Sequence, residues 1–197
     1  MAALTLPLSA QLKIGGFVNF NIAGINVKPD VSTEEYGSHL GLGIGGIASY
    51  QIKGGLELQT EPMILQKGGT VTEFGDKAII KITYFEIPVF VRYMIPVNET
   101  ILPYVLAGPN VGLRASAKVK FPGEATYDAN DQFAVLDLGL GLGAGSEYIL
   151  GSLILFGELK YVVGLNDINA EANESKVRNR GLQILMGVKV PIVIGGS

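Results

Sequence analysis

The sequence predicts an all-β fold, specifically an eight-stranded antiparallel up-and-down transmembrane β-barrel, and three observations lead there. Apolar residues recur at every second position in eight segments; glycine shares one track of these segments with the charges while the other track is bulky and aliphatic; and long and short connections alternate.

The first segment, about residues 11 to 25, carries Asn19 and Asn21 among apolar neighbours, which suits a strand better than a membrane helix. In the second, about 39 to 52, Leu40, Leu42, Ile44 and Ala48 oppose Gly41, Gly43, Gly45 and Gln51. The third, about 55 to 67, brings Glu57 and Glu61. In the fourth, about 79 to 95, Phe85, Ile87, Val89, Val91 and Tyr93 oppose Tyr84, Glu86, Phe90 and Arg92, and the fifth, about 102 to 118, contains Arg114. The sixth, about 132 to 149, is the clearest: Leu136, Leu138, Leu140 and Leu142 alternate with Asp137, Gly139, Gly141 and Gly143, and Glu147 ends the polar track. The seventh, about 152 to 165, sets Leu153, Leu155, Leu159 and Val163 against Glu158 and Lys160. In the eighth, about 180 to 193, Leu182, Ile184, Met186, Val188, Val190 and Ile192 oppose Gln183, Gly187 and Lys189.

Composition agrees. The 197 residues include 27 Gly, hydrophobic residues make up 48% and charged residues 17%, and the mean hydropathy is +0.35. Average usage is about 7% Gly and about 25% charged, so this chain is apolar and glycine-rich, without the every-third-residue glycine of collagen. A chain so apolar buries enough surface to offset ordering entropy, which excludes disorder. The net charge of −3 offers no basic face for nucleic acid, and the lack of Cys removes disulfides, thiolate nucleophiles and Cys-ligated metals. No run reaches the roughly 20 apolar residues of a transmembrane helix; Asp137, Glu147 and Glu158 interrupt the best stretch.

A soluble barrel hides its apolar face and shows its charges. Here small residues lie beside Glu57, Glu61, Glu86, Arg92, Arg114, Asp137, Glu147, Glu158, Lys160 and Lys189, a set expected to pair and fill a narrow lumen. The other track carries only Lys81 and Arg180, both near segment ends, where facing lipid costs little. Four connections of about 9 to 16 residues alternate with short ones at Lys53-Gly54, Pro96 to Ile101 and Leu150-Gly151. That asymmetry marks a bacterial outer-membrane barrel with long extracellular loops and both termini in the periplasm. Tyr50, Tyr93 and Tyr148 fall on the lipid track at the short-turn end, as an interfacial girdle.

At the ends, residues 1–10 look like the remnant of a secretory signal or a short leader, lacking the basic start of a complete one, and Gly195-Gly196-Ser197 looks like a linker. The barrel is expected over 11–194.

Several short motifs occur in order at strand spacing: Gln66-Lys67-Gly68, Tyr84-Phe85-Glu86-Ile87-Pro88, Pro103-Tyr104 with Ala107-Gly108-Pro109, Gly139 to Glu147-Tyr148, Tyr161 with Gly164-Leu165, and Asn179-Arg180-Gly181. On these the chain resembles the PorT-like outer-membrane β-barrel family of Bacteroidetes, from Gln11 to about Ile194. The resemblance implies an eight-stranded outer-membrane barrel, and for the family namesake a link to protein secretion. Two departures stand out. Lys160-Tyr161 replaces the family's frequent Arg-Tyr, losing a bidentate fork, and the chain lacks the terminal aromatic usual at the end of the last strand.

Other motifs dissolve on inspection. Gly41 to Gly46 and Gly139 to Ala144 fit a dinucleotide-binding glycine pattern, but neither is followed by a helix to hold a pyrophosphate. The single histidine, His39, follows Ser38, and adjacent residues in a strand face opposite ways, against a shared catalytic role. Acidic residues Asp30, Glu34, Glu35, Asp128, Asp131, Glu171 and Glu174 lie in loops, where solvation or divalent cations beside lipopolysaccharide are the alternatives. Asn98-Glu99-Thr100 and Asn173-Glu174-Ser175 are glycosylation patterns without meaning in a bacterium.

The expectation is therefore a non-enzymatic monomer without cofactor, surrounded by outer-membrane lipid and lipopolysaccharide and contacting other envelope proteins through its loops. A small solute or ion pore, a lipid-modifying enzyme and a soluble lipocalin-like binder stay open as alternatives.

Overall fold

The computed structural model describes residues 12–28, 34–73, 76–170 and 176–192. The leader, the Gly195-Gly196-Ser197 tail, Asp30, Glu171, Glu174 and the pattern at Asn173 lie outside the described residues, as does the side chain of Glu34.

Eleven strands form one sheet: β1 (Leu12–Lys28), β2 (Glu34–Gly37), β3 (His39–Lys53), β4 (Leu56–Thr60), β5 (Met63–Glu73), β6 (Asp76–Met94), β7 (Ile101–Lys120), β8 (Thr126–Asp128), β9 (Leu136–Leu150), β10 (Leu153–Gly164) and β11 (Lys176–Ile192). Every pairing is antiparallel. The ladder runs from β1 through β3, β4, β6, β7, β9, β10 and β11, and β11 pairs back along the whole of β1, from Leu12↔Ile192 to Lys28↔Lys176. Eight strands thus close a ring, and closure leaves the long strands no unpaired edge.

Three sequence expectations need correction. The third segment is two strands, β4 and β5, which fill one place in the ring between β3 and β6. They part at Glu61-Pro62, opposite Ile87-Pro88, where two prolines without N–H groups interrupt the ladder. The Pro88 carbonyl there accepts from both the Thr60 hydroxyl at 2.8 Å and the Glu61 N–H at 3.4 Å. Second, the connection between third and fourth segments is not long. β5 and β6 continue pairing to Glu73↔Asp76, because Thr70, Thr72, Ile79, Ile80 and Ile82 extend the β-branched pattern on both sides. Three long connections therefore remain, 29–38, 121–135 and 165–175, all at the end opposite the turns at Gly54 and Gly151. Both turn glycines have positive φ, 56° and 61°. Third, β9 starts at Leu136, since Asn130–Gln132 form a 3₁₀ turn rather than strand.

Strand parity is kept around the ring except past the bulge in β7, where the inward face passes from Asn110 and Gly112 to Ala117. β10 alternates strictly, with Leu153, Leu155, Leu159, Tyr161 and Val163 outward and Ile154, Phe156, Glu158, Lys160 and Val162 inward. The outward residues are exposed although apolar, up to 66% for Ile44 and 68% for Leu142, and Tyr50, Tyr93 and Tyr148 share that face beside the short turns. Inward glycines make room for large side chains. A Cβ at Gly145 would stand 2.5 Å from the Tyr104 ring, and one at Gly141 2.8 Å from Phe90. Among the described residues no helix is long and apolar enough to cross a membrane.

Candidate functional site

The ring's interior is the site that this chain builds with most of its chemistry. At the short-turn end, Glu147 on β9 receives three cations. Lys13 of β1 lies 3.1 Å from it, Arg92 of β6 2.6 Å and Lys189 of β11 2.9 Å. Lys13 also pairs with Glu57 of β4 at 2.8 Å, and Arg92 approaches the same carboxylate at 3.5 Å. A carboxylate with no exposure is stabilised only when its lone pairs are met, and three positive donors meet them.

Midway along the interior, Lys160 of β10 bridges Glu158, at 3.2 Å, and Glu61, the residue released from the ladder at the break between β4 and β5. Tyr104 donates its hydroxyl to Glu158 at 3.0 Å. Gln59 joins this group to the one below. Its amide oxygen accepts from Arg92, Lys189 and the Ser49 hydroxyl at 2.7, 3.1 and 2.9 Å, and its amide nitrogen donates to Glu61 and Glu158 at 2.6 and 3.1 Å. One neutral side chain thus faces cations with its oxygen and carboxylates with its nitrogen.

Towards the long connections, Lys67 of β5 pairs with Glu86 of β6 and, at 2.9 Å, with Asp137 of β9. Asn110 donates to Glu86 at 3.0 Å and Asn179 to Asp137 at 2.9 Å. Four of the buried cations also lie over aromatic rings: Arg92 at 3.7 Å from the Tyr104 centroid, Lys189 at 4.6 Å from Phe156, Lys160 at 4.8 Å from Phe90 and Lys67 at 5.3 Å from Tyr84.

Apolar groups fill what the charges leave. Phe17, Ile47, Met63, Leu65, Phe156 and Leu185 pack together at mid-height. At the long-connection end, Phe133 and Ile168 join Ile82, Tyr84 and Ala117, brought inward by two connections that bond to each other: Ala134 N–H to the Ile168 carbonyl at 2.7 Å and Ala170 N–H to Gln132 at 3.0 Å. These described parts of two connections therefore pack over that end of the interior.

Of the ten charges named from the sequence, nine are buried: Glu57, Glu61, Glu86, Arg92, Asp137, Glu147, Glu158, Lys160 and Lys189. Arg114 is the tenth, on the inward track opposite Tyr84. It is half-buried near the loop end and donates to Asn130, outside the ionic groups. A bulge in β7 pairs Thr83 with Ser116 but Tyr84 with Arg114, and the side-chain Oδ1 of Asn130, which accepts from Arg114, also takes the Ala117 N–H at 2.8 Å, fixing that corner. Sequence reasoning missed Lys13 and Lys67, together with Asn19, Asn21, Gln59, Asn110 and Asn179, while Gln183 stands where it was expected. Each stands on the inward track of its own strand, so the same parity would have found them. Both glycine-rich stretches lie inside strands, in β3 and β9. Ser38 is exposed and His39 half-buried opposite Ala23. Glu35, Asp128 and Asp131 are exposed, and Asp128 accepts two hydrogen bonds from Asn130 at 2.9 Å, shaping the turn.

Comparison with known proteins gives a consistent picture. A family model described as an outer membrane protein beta-barrel domain matches residues 7–170. Neisserial surface protein A (NspA) has a similar structure at 18% identity, covering 92% of this chain and 97% of its own, with a TM-score of 0.55. Ail, the attachment invasion locus protein of Yersinia pestis, matches at 12% identity over 90% of this chain and 97% of its own, TM-score 0.48. The N-terminal beta-barrel domain of Pseudomonas aeruginosa OprF matches at 13% identity over 87% and 96%, TM-score 0.38. The likeness to NspA is one of fold. No protein with a curated description shows significant sequence similarity to the chain.

Proposed function

The chain belongs to the outer membrane protein beta-barrel domain family, and from that premise we propose that it is an eight-stranded, up-and-down transmembrane barrel with a sealed lumen, non-enzymatic, acting by contact through its long connections. The observation that carries this reading is the filled interior. Among the described residues four buried cations and the half-buried Lys13 pair with six buried carboxylates, apolar side chains occupy the rest, and Phe133 and Ile168 cover one end. Eight strands leave room for side chains only. The ionic groups then serve as polar packing, and the surface free to meet a partner is the loop end. The narrower PorT-like placement rests on the ordered motifs from Gln66 to Gly181, several of whose residues, Lys67, Glu86 and Tyr104 among them, take part in the interior network.

The long connections face the cell exterior and the short turns the periplasm, as the asymmetry of such barrels requires. Because the chain has no Cys, single variants Ala125→Cys and Ser152→Cys report orientation cleanly. In intact cells a membrane-impermeant maleimide is expected to label the first and not the second. Reconstituted into planar bilayers, the protein is expected to give no reproducible conductance steps. Steps that vanish on Arg92→Gln or Glu86→Gln would establish a pore instead.

A further inference from the structure

We propose that an outward-facing cluster of Lys28, Lys176, Arg178 and Arg180 clamps the phosphorylated headgroup of a lipid in the outer leaflet. The four residues line a groove of about 480 Å³ with Asn26 and Tyr161, and the inference rests on the membrane reading above.

Register puts the cations together. Lys28 of β1 faces Lys176 of β11, Arg178 faces Asn26, and Arg180 lies between Gly24 of β1 and Val163 of β10. All four are exposed on the outward track. Gly24 gives the Arg180 side chain a flat shelf, since a Cβ there would lie 3.4 Å from its Nε atom. Among the described residues no carboxylate stands within ion-pair distance of any of them, in contrast with every buried lysine and arginine of the interior network. Four like charges held side by side on a rigid ladder repel unless an anion sits among them.

Depth favours a lipid over a soluble anion. Leu12 pairs with the girdle residue Tyr50, and Gly24, opposite Arg180, is twelve residues further along β1. At about 3.3 Å per residue and a tilt near 40° that rise is roughly 30 Å along the axis, just past the about 25 Å apolar band. Arg180 therefore falls at headgroup level, with Arg178 and the Lys28–Lys176 pair two and four residues above it on the side of the long connections. Below them the outward face is apolar in consecutive rows: Tyr161, Leu182 and Ile22, then Leu159, Ile184 and Phe20. An acylated phosphate places its charge on the cluster and its chains on these rows, whereas a free phosphate uses only the upper half.

The test is lipid binding by the full chain folded in a neutral sugar detergent, using bis-phosphorylated lipid A, its dephosphorylated form and inorganic phosphate as probes. Lipid A is expected to bind, with affinity falling about fivefold per cation removed and by roughly a hundredfold or more in the quadruple variant Lys28→Gln, Lys176→Gln, Arg178→Gln, Arg180→Gln. Dephosphorylation is expected to abolish the difference between wild type and variant. Unchanged lipid A binding by the quadruple variant overturns the proposal, as does displacement of lipid A by equimolar inorganic phosphate. The single variant Arg180→Gln, expected to lose about fivefold, guards against misfolding of the quadruple one, and gel migration of unheated samples verifies folding of each. A wild-type protein that fails to insert into vesicles defeats the membrane reading; one that inserts, yet binds lipid A as its variants do, defeats only the clamp.

Discussion

The two faces of β11 use the same residue types for opposite ends. Inward, Lys189 sits with no exposure between Glu147, Gln59 and Ser49 and over the Phe156 ring. Outward, Arg178 and Arg180 are exposed, with apolar Ile184, Met186 and Val188 further down the strand. The inner cations are held by partners fixed at the moment the ring closes, and the outer ones are placed where water and headgroups can reach them. A charge on this molecule is thus tolerated by partner inside and by depth outside, and the two rules are open to separate attack.

The largest effect is expected from Glu147→Leu, which strips Lys13, Arg92 and Lys189 of their shared carboxylate. Breaking buried pairs of this kind costs about 3–5 kcal/mol, and urea unfolding from lipid vesicles should register it. Next comes the outer face: Leu142→Arg puts a charge six residues from the girdle residue Tyr148, near mid-band, for about 2–4 kcal/mol, whereas Arg180→Leu at the band's edge should stay within about 1 kcal/mol in the same assay. If both cost alike, depth does not govern the outer face. Gly145→Ala drives a Cβ into the Tyr104 ring, an overpacking penalty of about 1–3 kcal/mol with loss of the Tyr104 to Glu158 hydrogen bond, visible as a lowered unfolding midpoint. The smallest effect belongs to Arg114→Ala. Among the described residues Arg114 bonds to Asn130 and to no buried carboxylate, so about 1 kcal/mol is the expected limit. A loss as large as that of Glu147→Leu would return Arg114 to the interior network.

These contrasts separate what was legible beforehand from what was not. Leu136 to Glu147 announce their faces by simple alternation, and nine interior charges follow from the same rule. Lys67 sat in plain view beside a glycine, and Lys13 beside a terminal stretch of another character; reading each against its own strand's parity would have included both. Arg114 keeps the inward parity of Asn110 and Gly112, opposite Tyr84, but the bulge just beyond it at Ala115 sets it beside Asn130, and no local pattern marks where a ladder slips. The break at Glu61-Pro62 escaped for a related reason. Its meaning depends on Pro88, which lies across the ladder and not along the chain.

The sequence by itself determined which side chains turn inward and which outward, because the side-chain period of a strand is two residues wherever the strand is placed. Only the tertiary structure decided who meets whom. Glu147 receives Lys13 from the far end of the chain, Arg92 from β6 and Lys189 from β11, partners set by the stagger at which the ring closes. That stagger is a property of all the strands of the ring together, so no single segment encodes it.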